Sequence, residues 1–326
     1  MKNRSISALF LLVISLAAAV PLPLSAQSFP SQPIKLVVPF PAGGGVDLVA
    51  RILAAPLSQH IGQSVVVENR SGAGGALGAT AVAQAQPDGY TLLIGANSTH
   101  GTNPSVQVKQ TYDPVRDFAP VILLSTSPLF LLSANSVQAA SAEELIALAR
   151  RSPGKLNFGS YGNGSITHLT AELFNSMAGI QTNHVPYRGS APALTDLVAG
   201  RIDFVFDGVS ALGYVKAGSI RALASAGAKR VPAVLDRPTL AEGAVPAFDI
   251  SLWFGMFAPA ATPRTALDLL NSRLNLTLAE ASVRQAIEKI GMEIAGGDSA
   301  TLARRVDAEL RRWGTLAREK NIRADP

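Results

Sequence analysis

From position 34 onward the chain repeats one grammar: a short apolar, β-branched run, a glycine-containing loop, then apolar residues at helical spacing. Ile34 to Phe40 is the first such run. Pro41-Ala42-Gly43-Gly44-Gly45 follows it, and Val46, Val49, Ala50, Leu53 and Leu57 then mark one face of a helix. Val65 to Glu68, the loop Gly72-Ala73-Gly74-Gly75 and an alanine-rich helical stretch from Leu77 to Ala85 repeat the pattern, stopped by the turn Pro87-Asp88-Gly89. Thr91 to Ile94 predicts a strand that runs into the polar loop Gly95 to His100. Lys155 to Phe158 leads through Gly159 to Ser165 into a helix whose face carries Ile166, Leu169, Leu173 and Met177. A strand over His184 to Tyr187, a helix from about Ala191 to Val198 capped by Ser190, and a strand over Ile202 to Phe206 complete another unit. Strand-helix-strand units of this length require parallel pairing, hence an α/β protein whose sheets are covered on both faces.

Ahead of this pattern, Lys2 and Arg4 precede an apolar run from Ile6 to Val20, then Pro21, Pro23 and Leu24-Ser25-Ala26, the three zones of a secretory signal peptide. The run is shorter than the ~20 residues a membrane-spanning helix needs, and its proline exit suits a cleavage site. Cleavage after Ala26 would leave a soluble, periplasmic chain of 300 residues. With 48% hydrophobic and 16% charged residues, that length exceeds what one core needs and implies about two domains. Cysteine is absent, which excludes disulfides, thiolate metal sites and thiol nucleophiles. The net charge of +5 falls to +3 without Lys2 and Arg4, and the pairs Arg150-Arg151, Arg304-Arg305 and Arg311-Arg312 sit within helical patterns. They read as solvated helix faces, so no nucleic-acid partner is expected.

The glycine loops admit three readings. They can serve only for sharp turning and close packing, since glycine takes positive φ without steric cost. A nucleotide is a second possibility, but the phosphate-loop pattern is missing, and Gly72, Gly74 and Gly78 are spaced one residue too far for the dinucleotide fingerprint. In the third, exposed amides and helix N-termini at the carboxyl ends of strands converge on a small anion such as a carboxylate. The recurrence of the loops favours this one. Catalytic patterns are weak: Gly208-Val209-Ser210-Ala211-Leu212 lacks the last glycine of a nucleophile elbow, and His60, His100, His168 and His184 show no metal-ligand spacing. No metal and no cofactor are expected. Ser165 and His168 open a helix and could serve as donors, as a polar cap, or as the pair of an exported hydrolase, although no third acid lies nearby in sequence. Asp47 reads as a dipole-compensating residue or as a partner for an ammonium or hydroxyl group, and Trp253 and Phe254 read as core aromatics.

Pro39-Phe40-Pro41-Ala42-Gly43-Gly44-Gly45-Val46-Asp47 and Val66-Val67-Glu68-Asn69-Arg70-Ser71-Gly72-Ala73-Gly74-Gly75 resemble the opening motifs of the Bug family, the extracytoplasmic solute receptors of tripartite tricarboxylate transporters. The similarity continues through Pro87-Asp88-Gly89-Tyr90-Thr91-Leu92, Tyr112 to Pro120, Lys155 to Ser160 and His184 to Leu194, and ends with Ala258-Pro259 and the helical C-terminus. It covers essentially the whole mature chain, in order.

The resemblance implies a type II periplasmic-binding-protein fold: two α/β lobes, a ligand cleft between them and two crossover segments, near Ser125 to Leu131 and Ile250 to Phe257. Residues 27–127 and 251–326 would form the first, discontinuous lobe, and residues 128–250 the second. The ligand carboxylate would be held by the first strand-to-helix loop, with Phe40, Ala42, Gly43, Gly44 and Asp47, and by its counterpart, with Tyr161, Gly162, Gly164, Ser165, Thr167 and His168. Asn97, Ser98, His100 and the strand-end residues Tyr187 and Asp207 would complete the pocket. One position departs from the family: Asp207 is followed by Gly208-Val209 where relatives carry an amide or other polar residue. Because Asp47 and Asp207 would repel a second carboxylate, a monocarboxylate, amino acid or hydroxylated acid is favoured over a tricarboxylate. The implied partners are that ligand and the membrane subunits of the transporter, or a sensor, with the receptor itself a monomer.

Overall fold

The computed structural model describes residues 29–231 and 235–324; the expected signal peptide, residues 1–26, lies outside the described residues. The strands are β1 (Ile34–Val38), β2 (Val65–Asn69), β3 (Thr91–Ala96), β4 (Phe118–Pro128), β5 (Phe130–Ala134), β6 (Asn157–Ser160), β7 (Asn183–Pro186), β8 (Phe204–Asp207), β9 (Ile220–Ser225), β10 (Ser251–Pro259) and β11 (Glu293–Ile294). The α-helices are α1 (Gly45–Ile61), α2 (Ala76–Ala83), α3 (Asn103–Val106), α4 (Ala142–Arg151), α5 (Ile166–Ala178), α6 (Ser190–Val198), α7 (Leu212–Lys216), α8 (Arg264–Ala279), α9 (Ala281–Lys289) and α10 (Ser299–Glu319).

They build two sheets, a six-stranded one in the order β11-β4-β10-β3-β1-β2 and a five-stranded one in the order β7-β6-β8-β5-β9. The pairs β1–β2, β1–β3, β6–β7 and β6–β8 are parallel, as the strand-helix-strand grammar requires. Beyond those units, β4, β5, β9, β10 and β11 pair antiparallel. The cause lies in the crossovers. β4 leaves the first sheet at Pro128, β5 enters the second at Phe130, and the chain returns at Ser251 of β10, which pairs with Pro128 itself.

Each sheet has its own apolar packing. Leu36, Val49, Leu53, Leu92, Ile122 and Leu274 are fully buried around the first sheet, and Phe130, Leu145, Phe158, Leu169, Phe174 and Phe204 around the second. At about 25 cal/mol per Å² such side chains contribute roughly 1.5–3 kcal/mol each. Helix α10 joins the two. Its Leu302 and Val306 pack with Leu93, Trp253 and Phe257 of the first sheet, while its Trp313, Leu316 and Ala317 belong to the cluster around the second. Two local expectations change. Ser190 is not a cap, because its hydroxyl donates to Asp207 Oδ2 at 2.6 Å and Gly189 takes the N-cap position of α6. The polar stretch after β3 is a wide π-type helical turn, Ser98–Thr102, rather than an open loop.

Candidate functional site

A cavity of about 440 Å³ lies between the two sheets, lined by residues of both. Of the sequence-predicted residues it brings together Phe40, Asn97, Ser98, Tyr161, Gly164 and Ser165. Ala42, Gly43, Gly44, Asp47, His100, Gly162, Thr167, His168, Tyr187 and Asp207 are not among its lining residues, and each has a physical reason to be elsewhere.

Ala42, Gly43 and Gly44 form the exposed outer part of the first loop, whereas Phe40 turns inward beside Phe254. Asp47 is buried beneath that loop as its fastener. Its Oδ2 accepts the Gly43 amide at 2.8 Å and Arg51 Nε at 2.9 Å, and its Oδ1 accepts Asn69 Nδ2 at 2.9 Å. The hydrogen bond from Arg51, reinforced by those from Gly43 and Asn69, outweighs burial and pulls the carboxyl down to about 2. Asp47 is therefore an ionised, internally bonded group, buried away from the cavity lining.

The turn Ser98–Thr102 swings His100 away from the cavity. Its ring is fully buried, stacked on Phe257 at 3.7 Å between centroids, and burial pushes it down to about 3, so it is neutral. Asn97 lines the cavity, yet its amide is committed elsewhere. Nδ2 donates to Glu309 Oε2 at 3.0 Å and to the Ser251 carbonyl at 3.3 Å, and Oδ1 accepts the Trp253 amide at 2.8 Å. It ties the end of β3 to the returning crossover and to α10.

On the second sheet, the loop from Tyr161 to Ser165 is shaped from below. The Tyr161 amide donates to Thr167 Oγ1 at 2.9 Å, that of Gly162 to Ser160 Oγ at 3.1 Å, that of Gly164 to His168 Nδ1 at 3.0 Å and that of Ser165 to the Gly162 carbonyl at 3.1 Å. Gly164 has φ +73°, and a Cβ there would stand 2.7 Å from Val106 Cγ2, so only glycine fits without displacement. These bonds use most of the loop's own amides. What remains for a ligand is the first turn of α5, where Ile166 and Thr167 amides precede the intrahelical ladder, together with the Ser165 hydroxyl. Ser165 Oγ caps the helix by accepting the His168 amide at 3.3 Å and lies 3.3 Å from Thr167 Oγ1; with Thr167 donating in that contact, the Ser165 proton can turn to a ligand.

Asp207 lies behind Tyr161 and is fully buried. Ser190 and Ser210 donate to its two oxygens at 2.6 and 2.5 Å, and the Tyr161 hydroxyl is a further donor. Burial raises its carboxyl against these donors. Burial, and then the Asp207 charge, push the Tyr161 phenol well above its ordinary value, so it stays protonated. Tyr187 is drawn to Asp196 Oδ2 at 2.8 Å, on α6.

The hydrolase alternative required Ser165 and His168 to act as nucleophile and base. The bond between them is made by the His168 backbone, while the imidazole Nδ1 is taken by Gly164 and the ring stacks on His184. The nucleophile-to-base hydrogen bond is not made. Residues absent from the sequence expectation also line the cavity: Ala73 and Gly74 of the second glycine loop, Asn103, Val106 and Gln107 after β3, and Leu252, Phe254 and Ala324. The Gly72 to Gly75 loop carried the same strand-to-helix signal as the first. The others had no local signature. None of the lining residues is Lys, Arg or His, and among the described residues no cluster could hold a metal ion and no helix is long and apolar enough to cross a membrane.

Comparison with known proteins agrees with this architecture. Residues 49–322 match the model of the tripartite tricarboxylate transporter family receptor, TctC. The chain is 41% identical over 302 residues to the UPF0065 protein of the tcbD-tcbE intergenic region of Pseudomonas sp. strain P51, covering 92% of this chain and 89% of that one. It is 36% identical to protein BugT of Bordetella pertussis, with 93% of each covered. Among solved structures, R. palustris Rpa4515 with adipate superposes with a TM-score of 0.79 at 40% identity, over 90% of this chain and 99% of that one. MatC of Rhodopseudomonas palustris with bound malate gives 0.75 at 34% identity, over 88% and 99%. The family is one of solute-binding receptors and not of enzymes. With its two-sheet fold, its interlobe cavity and a match across most of its length, the chain belongs to the TctC family of tripartite tricarboxylate transporter receptors, which includes the Bug proteins.

Proposed function

We propose that this protein is a periplasmic receptor, exported by cleavage after Ala26, that captures a small organic carboxylate between its lobes and presents it to the membrane subunits of a tripartite tricarboxylate transporter or to a sensor. The observation that carries the reading is the cavity itself. It is walled from both sheets, has Ser165 and the start of α5 on one side, and contains no basic side chain. A carboxylate leaving water needs several directed donors, and charge-assisted bonds to amides and hydroxyls supply them without a cation. The apolar walls Phe40, Val106, Leu252 and Phe254 suit a hydrocarbon stem.

The preference for a single carboxylate loses its basis. It rested on Asp47 and Asp207 facing the ligand, and both are buried behind the lining and satisfied there. A dicarboxylate is admitted, in keeping with the adipate of Rpa4515 and the malate of MatC. Donors at the start of α5 facing apolar walls such as Phe40 and Phe254 across the cavity give a closed form contacts that an open form lacks, which is the differential binding that drives closure. Micromolar affinity, suitable for uptake, corresponds to ~8 kcal/mol, within reach of several such bonds plus an apolar wall.

The test is thermal stabilisation by a panel of mono- and dicarboxylates, followed by mass spectrometry of the bound species. Stabilisation by at least one acid, recovered unchanged, is expected. Turnover of that acid, abolished in Ser165→Ala, would reinstate the hydrolase.

A further inference from the structure

We propose that the C-terminal tail, Ile322 to Ala324, is a wall of the ligand cavity and sets the length of ligand that the cleft accepts; this rests on the reading of the cavity as a carboxylate site. Beyond α10 the described residues, as far as Ala324, are bonded back onto the molecule. The Ala324 amide donates to the Val106 carbonyl at 3.0 Å and Ala324 forms a parallel bridge with Gln107, on the segment that follows β3 of the first sheet. One residue earlier, the Arg323 carbonyl accepts Asn163 Nδ2 at 2.7 Å, in the loop after β6 of the second sheet. The tail is thus bonded to both sides of the cleft within two consecutive residues.

Ala324 lines the cavity beside Val106, Asn163 and Gly164, and the packing there has no slack. A Cβ on Gly164 would lie 2.9 Å from Ala324 Cβ as well as against Val106. On the far side of the tail a second cavity, of about 380 Å³, is lined by the same Val106 and Gln107 together with Ile322 and Arg323. The tail is the partition between the two spaces. The small side chain at 324 leaves the end of the ligand cavity open, and a branched one would project into the volume that the far end of an extended ligand occupies.

The experiment measures dissociation constants by calorimetry for the straight-chain dicarboxylates from succinate to suberate, with the full-length mature protein, Ala324→Leu and the near-isosteric Ala324→Ser, thermal unfolding confirming that each is folded. Ala324→Leu is expected to bind the shortest accepted acid within a few-fold of the wild type and to lose about tenfold or more for the longest, while Ala324→Ser keeps the wild-type profile. Unchanged affinities in Ala324→Leu, or an equal loss for every length, would overturn the role of the tail while leaving the carboxylate site standing. A wild type that binds none of these diacids would overturn this proposal, and one that binds none of the wider mono- and dicarboxylate panel would overturn the carboxylate reading as well.

Discussion

The imidazoles of His168 and His184 lie face to face, 3.7 Å between centroids and 8° from parallel, directly beneath the loop that carries Ser165. Two stacked rings cannot both be charged without repulsion, and His168 also spends Nδ1 on the Gly164 amide. Burial, aided by the neighbouring His184, pushes His168 down to about 3, and burial pushes His184 down to about 4. Both folded values lie below the ordinary histidine value, so between them the unfolded chain binds more protons than the native one. Stability from this pair is fully present above about 6.5 and is lost as pH falls toward 3–4. Denaturant unfolding followed from pH 7.5 to pH 4 should show a falling midpoint, and His184→Gln, which removes one titrating ring, should flatten it. A midpoint that is level across this interval would contradict the argument.

Asp47 acts lower on the pH scale and through a different partner set. Its carboxylate holds Gly43, Arg51 and Asn69 at once from a buried position. Hydrogen bonds to charged groups contribute about 1.5–3 kcal/mol, so Asp47→Ala should lower unfolding stability by about 2–3 kcal/mol, measured by urea denaturation. Because the folded value is depressed, this contribution is present above about 3.8 and disappears as pH falls toward 2.

Asn97 is the fastener of the returning crossover. Of its three bonds, two hold the Ser251 carbonyl and the Trp253 amide, and the third donates to the Glu309 carboxylate, which is itself buried and also receives Trp313 Nε1 at 2.6 Å. Asn97→Leu keeps the volume and strands the Trp253 amide and one acceptor position of Glu309. A loss of about 2–4 kcal/mol is expected by denaturant unfolding. An effect below about 0.5 kcal/mol would mean that the crossover is held elsewhere.

The strand-and-loop grammar was legible because burial imposes it: β1, β2, β3 and β6 fall on the β-branched and apolar runs, and the glycine loops follow them. The family motifs located the loops of the cleft but not the direction of each side chain. Asp47 sits in such a motif and Thr167, His168 and Asp207 in the loop and strand end that the resemblance implied, yet the first three bind backbone amides of their own loops and Asp207 the hydroxyls of Ser190 and Ser210, because polar side chains there are nearest to unsatisfied amides and hydroxyls. His100 turned inward once its segment coiled into a wide helical turn. Ala324 and Val106 were illegible, since 218 positions separate two residues whose only local signal is small or apolar size.

Ser165 carries the cavity-lining hydroxyl at the start of α5 on the second lobe. Its removal in Ser165→Ala deletes one donor to a charged group and the cap of α5, at about 1–2 kcal/mol, or roughly 5- to 30-fold in dissociation constant. Calorimetry with the best-bound acid reads this directly. Unaltered affinity would place the anion away from the start of α5.

The central claim is that a carboxylate sits between the two sheets and is gripped by neutral donors. A crystal structure of the complex with an acid that stabilises the protein tests it most directly. The account predicts ligand density in the cavity between Phe40, Phe254 and Val106, with a carboxylate oxygen within hydrogen-bonding distance of Ser165 Oγ and the first-turn amides of α5. Density at any other place on the molecule, with this cavity holding only solvent, would contradict it.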